Sequence, residues 1–309
     1  MSSKKISILY YQNCPKVLKS FVILILVITV SGLSSSGSFK GPVRKNSFDL
    51  AAMETIIRNK YDSYATFRWN DYAALMEKLS APKFKVLPLN EMRKTNSTSK
   101  VIVGLRHDID FNPFKALEMA RVEKMYGIRA TYFFLATAEY YGSFTESGYI
   151  HSPGIETVIQ NLSRTGAEIG VHNDLFTVMI KYNQDPFLFN KNELAFYRSL
   201  RVRINGTASH GSDIAKKTVP CFQIFSDFAR NDSVEYMGKK YPIGKHSLKD
   251  FGYDYEAYSV PHNIYISDSG GKWNISNGLE GILKILDSSS PGDRIQILIH
   301  PDWWGKNTK

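Results

Sequence analysis

The sequence contains very little cysteine. Of the two cysteines in its 309 residues, Cys14 lies in the N-terminal segment and Cys221 is alone in the rest of the chain, which excludes a body held together by intrachain disulfides. No repeat of fixed period is present, and a composition of 43% hydrophobic and 22% charged residues excludes disorder, collagen and a coiled coil. The composition is that of an ordinary globular protein, long enough for one large α/β domain or two smaller ones.

Acidic side chains are missing from residues 1–45, although seven of the 39 lysines and arginines lie there. The remainder carries 32 basic against 29 acidic residues, so the formal charge of +10 belongs mainly to the N-terminal segment. A nucleic-acid-binding domain presents a basic stripe on its folded body, and none is evident in the sequence of residues 46–309. We therefore expect no nucleic-acid partner.

The N-terminal segment also contains the one conspicuous apolar run. Residues 21–30, FVILILVITV, are uncharged, follow a basic flank and precede small polar residues, a pattern typical of a secretory signal or an N-terminal anchor. Residues 1–33 are predicted to be that signal or anchor, residues 34–47 a linker and residues 48–309 the folded domain. We expect an exported protein, either secreted or anchored in the membrane by residues 18–33; the sequence leaves cleavage open.

Strands and helices alternate in the predicted domain. Strands are expected at 84–88, 101–107, 130–136, 167–172, a short stretch entering 208–210, 221–225 and 294–300. Asp71 is expected to cap one helix. Further helices are expected from Asn112-Pro113 to Gly127, from 155 to 166, around 194–200 and at 279–286. Strands alternating with helices indicate an α/β fold with a parallel sheet, either open or closed into a barrel.

Ionisable side chains follow the apolar strands. Asp108 and Asp110 come after the first long strand, His172 after the third, His300 after the last, and His210 follows the short strand. Active sites of parallel α/β sheets and barrels form at the carboxyl ends of the strands, so these groups are expected to converge.

Asp108 and Asp110 are two residues apart, which places both side chains on one face of an extended chain. Adjacent carboxylates repel each other unless a cation lies between them or one is protonated, so the pair indicates a metal site or an acid/base role. The alternative is a loop in which Asp110 or Asn112 caps the next helix, and each histidine alone could be an ordinary hydrogen-bonded loop residue. Together, two histidines and one or two aspartates supply the N and O ligands of a catalytic zinc site, for which hydrolysis is the natural reaction.

Four segments of the chain resemble the successive motifs of the polysaccharide deacetylase family, the NodB-homology carbohydrate esterases. They are Arg106-His-Asp-Ile-Asp110, Ala130-Thr-Tyr-Phe-Phe134, Ala167-Glu-Ile-Gly-Val-His172 and Ile297-Leu-Ile-His300-Pro. The similarity covers roughly residues 66–309. It implies a distorted (β/α) barrel of about seven parallel strands, one divalent metal ion, for which Zn²⁺ is preferred, and hydrolysis of N-acetyl or O-acetyl groups on a glycan, with N-acetyl preferred.

The resemblance also implies roles for individual residues. Asp108 corresponds to the general base, Asp110 and His172 to metal ligands, and His300 to the general acid that protonates the leaving amine. Ile109 separates two aspartates that are adjacent in the usual family pattern, so base and ligand could be exchanged.

The second metal histidine of the usual pattern is replaced by Phe176 in this chain. The third metal ligand could instead be His210, which we prefer, or Asp174. If neither residue binds the ion, the metal site is incomplete. The arginine next to a proline in the family's third motif is not visible near His210. The first motif and the later Ser-His-Gly resemble a divergent subgroup associated with surface glycans.

Four further residues are weaker candidates for substrate binding: Asp268, Trp273, Trp303 and Trp304. Trp303 and Trp304 could form an apolar wall for a sugar face or an acetyl methyl group, or they could be buried as a lid on the barrel. The sequence predicts a metal-dependent deacetylase acting on an acetylated glycan. A non-catalytic glycan-binding barrel and a metal-dependent hydrolase of another bond, such as a phosphoester, are the alternatives.

Overall fold

The structure is a computed structural model that describes residues 46–96 and 99–305. The predicted signal or anchor at 1–33 and the linker as far as residue 45 lie outside the described residues. Within the described part of the chain, no helix combines the length and the apolar character needed to cross a membrane.

Nine α-helices and twelve β-strands are found in the described residues. The helices are α1 Asn46–Tyr61, α2 Trp69–Leu79, α3 Leu89–Met92, α4 Pro113–Met125, α5 Ile155–Ser163, α6 Leu175–Ile180, α7 Pro186–Ser199, α8 Asp213–Lys217 and α9 Gly278–Ser288. The strands are β1 Phe84–Leu87, β2 Val101–Ile109, β3 Thr131–Leu135, β4 Gly142–Thr145, β5 Gly148–His151, β6 Glu168–Asn173, β7 Ile204–Ser209, β8 Ser233–Tyr236, β9 Lys239–Pro242, β10 Tyr255–Glu256, β11 Ile264–Ser267 and β12 Arg294–Ile299.

Seven parallel strands form one curled sheet in the order β10-β7-β6-β3-β2-β12-β11, with helices in between. The short strand β1 also pairs in parallel with the first half of β2, while β3 pairs with its second half. The sheet is a half-barrel and confirms the predicted distorted (β/α) barrel. The hairpins β4–β5 and β8–β9 are separate antiparallel pairs.

Both faces of the central strand β2 are buried. A cluster of side chains covers the inner face of the curled sheet, and helices cover its outer face. Val101, Val103 and Leu105 belong to the large outer core, whereas Ile102 belongs to a smaller inner cluster. Side chains alternate along a strand, so Arg106 and Asp108 share the inner face with Ile102.

Helix α3 fills the inner face near the start of β2, where the chain needs a glycine. A Cβ at Gly104 would lie 2.3 Å from the Met92 sulfur, and Leu89 and Met92 of α3 are both in the inner cluster. The first two backbone N–H groups of α3 donate to Thr131 and Glu168 at the amino ends of β3 and β6, which fixes α3 on the sheet.

The local signals in the sequence explain two helices directly. Asn112 caps α4 by accepting hydrogen bonds from the backbone N–H groups of Phe114 and Lys115, with Pro113 in the first turn. Helix α5 buries Ile155, Val158, Ile159 and Leu162, the apolar face that the spacing predicts.

Three predictions of local structure were wrong. Residues 221–225 are not a strand, since Cys221–Ile224 form a 3₁₀ helix after Pro220. Strand β10 pairs with β7 instead. The prediction failed because a short apolar run does not distinguish a strand from a buried helical turn. Asp71 does not cap α2, since it lies in the first turn and forms an ion pair with Arg68. Helix α1 begins at Asn46, inside the predicted linker.

Candidate active site

Asp110, His172 and His210 converge at the carboxyl edge of the sheet. Asp110 directly follows β2, His172 is the penultimate residue of β6, and His210 directly follows β7. Asp110 Oδ1 lies 3.4 Å from His172 Nε2 and 3.4 Å from His210 Nδ1, and the two ring nitrogens are 3.1 Å apart. Three strand ends thus bring one oxygen and two nitrogens together, and this cluster could hold a metal ion.

Backbone contacts orient the imidazole of His172 and hold the main chain of His210. His172 Nδ1 is 2.8 Å from the carbonyl oxygen of Ala208, so the tautomer that donates this hydrogen bond leaves a lone pair on Nε2, which faces Asp110. The backbone N–H of His210 donates to the carbonyl oxygen of Asn173 at 2.8 Å, which fixes the chain on which its ring sits.

The charges in the cluster depend on one another. Burial alone would raise the pKa of Asp110, but His210 and His172 beside it hold that pKa well below its ordinary value. Burial would lower the pKa of His210, but Asp110 raises it above its ordinary value. Asp110 is therefore ionised, and its Oδ1 is a buried atom with no hydrogen-bond partner among the described residues.

The donor set fits a divalent transition metal. Catalytic zinc sites use three N or O ligands and keep one position open. Ligand bonds of ~2.0–2.1 Å in a tetrahedron place neighbouring donors about 3.3–3.4 Å apart, and the three distances here are 3.1, 3.4 and 3.4 Å. Asp110 Oδ1, which has no hydrogen-bond partner among the described residues, and the Nε2 lone pair of His172 face each other at a separation that suits two ligands of one ion.

Asp108 lies beside the cluster and is held by an arginine from its own strand. Arg106 donates to both carboxylate oxygens, at 2.8 Å from Nε and 2.6 Å from Nη2, and Asp108 Oδ2 is 3.5 Å from His172 Nε2. Burial would raise the pKa of Asp108, but the Arg106 guanidinium, with a smaller effect of His172, lowers it. A buried, ionised carboxylate therefore stands next to the donor cluster.

The sequence interpretation missed Arg106 as the partner of Asp108. The signal was available, because residues two apart on a strand share a face, and an acid beside an arginine on a buried face is expected to pair with it. The partner of Asp108 therefore comes from its own strand, two residues earlier.

His300 follows β12 and is oriented by a buried carboxylate. Asp268, which follows β11, accepts hydrogen bonds from His300 Nδ1 at 2.7 Å and from the His300 backbone N–H at 2.9 Å. Trp304 Nε1 donates to the second oxygen of Asp268 at 3.0 Å. Burial would lower the pKa of His300, but the hydrogen bond and charge of Asp268 raise it to about 9.

The loop that carries Asp110 is fixed by Asp302. The fully buried carboxylate of Asp302 accepts the backbone N–H groups of Asp110 at 3.1 Å, Phe111 at 3.1 Å and Asn112 at 2.5 Å. It thereby sets the turn that points Asp110 into the donor cluster.

The four weaker candidates have different surroundings. Asp268 and Trp304 are fully buried, so they offer no surface to a substrate, and Trp304 packs against Phe67 as the burial alternative expected. Trp273 is half-buried against Trp304, and Trp303 is half-buried and stacks on the exposed ring of Tyr64.

The structure also separates the two candidates for the third ligand. His210 belongs to the donor cluster, whereas Asp174 lies outside it and accepts a hydrogen bond from Thr137. Phe176 is fully buried in the outer core. Phe176 therefore serves packing, while β7 brings the imidazole of His210 to the cluster.

Comparisons of this chain with protein-family models, with curated proteins and with solved structures found no match.

Proposed function

We propose that this chain is a metal-dependent hydrolase of the polysaccharide deacetylase type, which removes acetyl groups, N-acetyl groups foremost, from a polysaccharide outside the cytoplasm. The observation that carries the proposal is the convergence of Asp110, His172 and His210 within 3.4 Å, next to Asp108. Membership of the deacetylase family is part of the proposal and is supported by the motif resemblance and by the half-barrel.

The metal ligands in this proposal are Asp110 Oδ1, His172 Nε2 and His210 Nδ1. One oxygen and two imidazole nitrogens suit Zn²⁺. A bound divalent ion would polarise a carbonyl oxygen and lower the pKa of a water toward ~7. Of the two aspartates, Asp110 contacts both histidines, whereas Asp108 is taken up by Arg106; these contacts support Asp110 as the ligand and Asp108 as the base.

Asp108 accepts the proton of the water that attacks the acetyl carbonyl. Its contact with Arg106 keeps it ionised at neutral pH, which a base requires. The bidentate guanidinium also fixes the direction of the carboxylate, so Arg106 acts as a positioning residue.

His300 donates a proton to the departing amine. The Nδ1 contact to Asp268 leaves Nε2 available on the other side of the ring, and a pKa of about 9 keeps the imidazole protonated at neutral pH. The charge of His300 acts on both Asp108 and Asp110, which supports a place for the ring near the two acids.

The test combines metal analysis with acetate release. Purified protein, Asp110→Ala, His300→Ala and the control His262→Ala are assayed for metal by elemental mass spectrometry and for acetate released from acetylated glycans. His262 precedes β11, at the opposite end of that strand from Asp268. We expect about one metal ion per chain in the parent, the control and His300→Ala, almost none in Asp110→Ala, and acetate release in the parent and control alone.

Equal metal content in the parent and in Asp110→Ala would refute the ligand assignment. Protein that takes up no metal even after reconstitution would instead indicate a non-catalytic glycan-binding barrel. Phosphatase activity without acetate release would point to hydrolysis of another bond.

Export belongs to the same proposal and is supported by the basic flank and apolar run of residues 1–33. Mass spectrometry of the N-terminus, in protein recovered from the medium and from membranes, distinguishes a cleaved signal from a retained anchor. Full-length protein confined to the cytosol would contradict export.

A further inference from the structure

A concave region of the structure is lined by none of the donor-cluster residues. It is a cavity of about 500 Å³ between the loop that leads into α7 and the segment 239–246, which includes strand β9. Three exposed lysines, Lys239, Lys240 and Lys245, line it together with Phe187, Tyr241 and His246. We refer to these six residues as the basic cleft.

The lysines of the basic cleft form no close ion pairs with the described residues. Within the described residues, none of the three has a carboxylate oxygen within 4.0 Å. Asp185 is the single carboxylate that lines the cavity, and its Oδ1 caps α7 by accepting the backbone N–H groups of Phe187 at 2.8 Å and Leu188 at 3.2 Å. Glu235 is the cross-strand neighbour of Lys240 in the β8–β9 hairpin. The three lysines still outnumber the carboxylates beside them, and this net positive charge favours an anionic ligand.

Flat rings lie beside these cations. The rings of Phe187 and His246 stack with centroids 3.9 Å apart and an interplanar angle of 9°. Lys239 Nζ is 5.1 Å from the centroid of the half-buried Tyr241 ring. The Phe187 ring is already covered, because it stacks on His246 and Lys191 Nζ lies 4.3 Å from its centroid. The half-buried rings of His246 and Tyr241 remain for a ligand. Rings with large apolar faces pack against the flat apolar faces of sugars, and a lysine next to them can bind a carboxylate or phosphate on the same sugar.

The basic cleft is built from the same chain segments that follow the metal-ligand strands. Met179, which lines the cavity, lies in α6, and α6 begins three residues after His172. Ile224, also in the lining, lies in the 3₁₀ helix of the long connection after His210. The connections that leave β6 and β7 therefore serve both the candidate active site and the cleft.

We propose that the basic cleft binds acidic sugar residues, bearing carboxylate or phosphate groups, of the glycan chain whose acetyl groups are removed at the candidate active site. The assignment to a glycan rests on the function proposed above. Single-stranded nucleic acid also combines anions with flat rings, but the nearly balanced charge of residues 46–309 argues against it.

The experiment uses two matched probes, a galacturonic acid oligomer and its methyl-esterified form, which has the same rings without the charges. Binding is measured by calorimetry for the parent protein, for Lys239→Gln/Lys245→Gln, and for the control Lys85→Gln/Lys124→Gln, which removes two exposed lysines outside the cleft. We expect the acidic oligomer to bind the parent at least about ten-fold more tightly than the ester, and the cleft variant to lose about five-fold in affinity. The control should bind like the parent.

Two separate measurements distinguish this proposal from the proposed function. Binding of the galacturonic acid oligomer tests the cleft, and acetate release from a small neutral acetylated substrate tests the hydrolase. The cleft variant should release acetate from that substrate at the parental rate, because its lysines are outside the candidate active site. Cleft-dependent binding without any acetate release would support the cleft and overturn the hydrolase. Equal binding of acid and ester, an unchanged affinity in the cleft variant, or tighter binding of a single-stranded DNA oligonucleotide would overturn the cleft proposal.

Phosphate-bearing glycans are distinguished from carboxylate-bearing ones in the same format. A phosphorylated oligosaccharide that binds more tightly than galacturonate, and that loses affinity in the cleft variant, assigns phosphate as the preferred group. The reverse order assigns carboxylate.

Discussion

Asp302 is predicted to control the metal affinity of the proposed site at Asp110, His172 and His210 without being a ligand. Its carboxylate accepts three backbone N–H groups of the loop that begins at Asp110. In Asp302→Asn the side chain keeps one oxygen, and its new NH₂ group faces backbone donors instead of accepting from them. At least one of the three hydrogen bonds is therefore lost.

The magnitude follows from the chemistry of that contact. Burial and the charge of Asp110 raise the pKa of Asp302 to about 7, so the carboxylate is largely ionised only in a buffer above that pH, which the measurement uses. A hydrogen bond to a charged group then contributes about 1.5–3 kcal/mol, and a buried donor left without a partner costs about 1–3 kcal/mol. Loss of a partner that orients a metal ligand weakens metal binding about 10–100-fold. We expect Asp302→Asn to weaken Zn²⁺ binding by about that factor and to lower the free energy of unfolding by about 2 kcal/mol.

The assay is competition with a chromophoric zinc chelator, with denaturant unfolding measured on the same samples. Asp293→Asn is the matched control, because Asp293 also fixes a loop by accepting the backbone N–H of Ser290, at 2.7 Å, but precedes β12 at the opposite end of that strand from His300. The control should lose some stability and keep its affinity for zinc.

Unchanged zinc affinity in a folded Asp302→Asn protein would refute the reasoning. An equal loss of affinity in Asp293→Asn would do the same, since the effect would then reflect general stability.

Three further predictions concern the frame around the site. The pKa of His300 is about 9 in the folded protein and near 6.5 in the unfolded chain, so its contribution to stability is complete below pH 6.5 and is lost as the pH rises through 9. In denaturant unfolding, the free energy of unfolding of metal-free protein should therefore fall by at most about 3 kcal/mol over this pH range. His300→Gln should lack this pH dependence. Trp304→Phe removes the N–H donor to Asp268, so the free energy of unfolding should fall by about 1.5–3 kcal/mol while metal analysis shows the parental content. Gly206→Ala would place a Cβ 2.1 Å from the Tyr255 ring, so unfolding experiments should show a loss of at least about 1–3 kcal/mol, and a variant as stable as the parent would contradict the packing of that ring.

The sequence predicted the fold and the carboxyl-edge cluster because both depend on local signals. Alternating strands and helices give a parallel sheet, and polar residues directly after apolar strands must then lie at one edge of it. Asp110, His172 and His210 could be placed together by that argument alone.

The groups that hold the site were harder to predict, since they come from distant parts of the chain. Asp302 contacts a loop 190 residues earlier, and Asp268 contacts a histidine 32 residues later; no spacing rule covers such pairs. The two-residue strand β10 and the 3₁₀ helix at Cys221 were missed because tertiary pairing, and not local periodicity, decides the structure of short segments.

Strands β2 and β7 differ in how extensively they pair with their neighbours, and this difference should affect how long a bound ion stays in the proposed site. Strand β2 carries Asp108, leads into Asp110 and pairs with β1, β3 and β12, so its amide protons should be among the slowest to exchange with solvent. Strand β7 pairs on one side with β6, through a register irregularity, and on the other side over only two residues with β10. This weakly paired side should open locally long before the sheet unfolds. We expect His210 to leave first, so that the rate of ion release follows the exchange of the β7 amides.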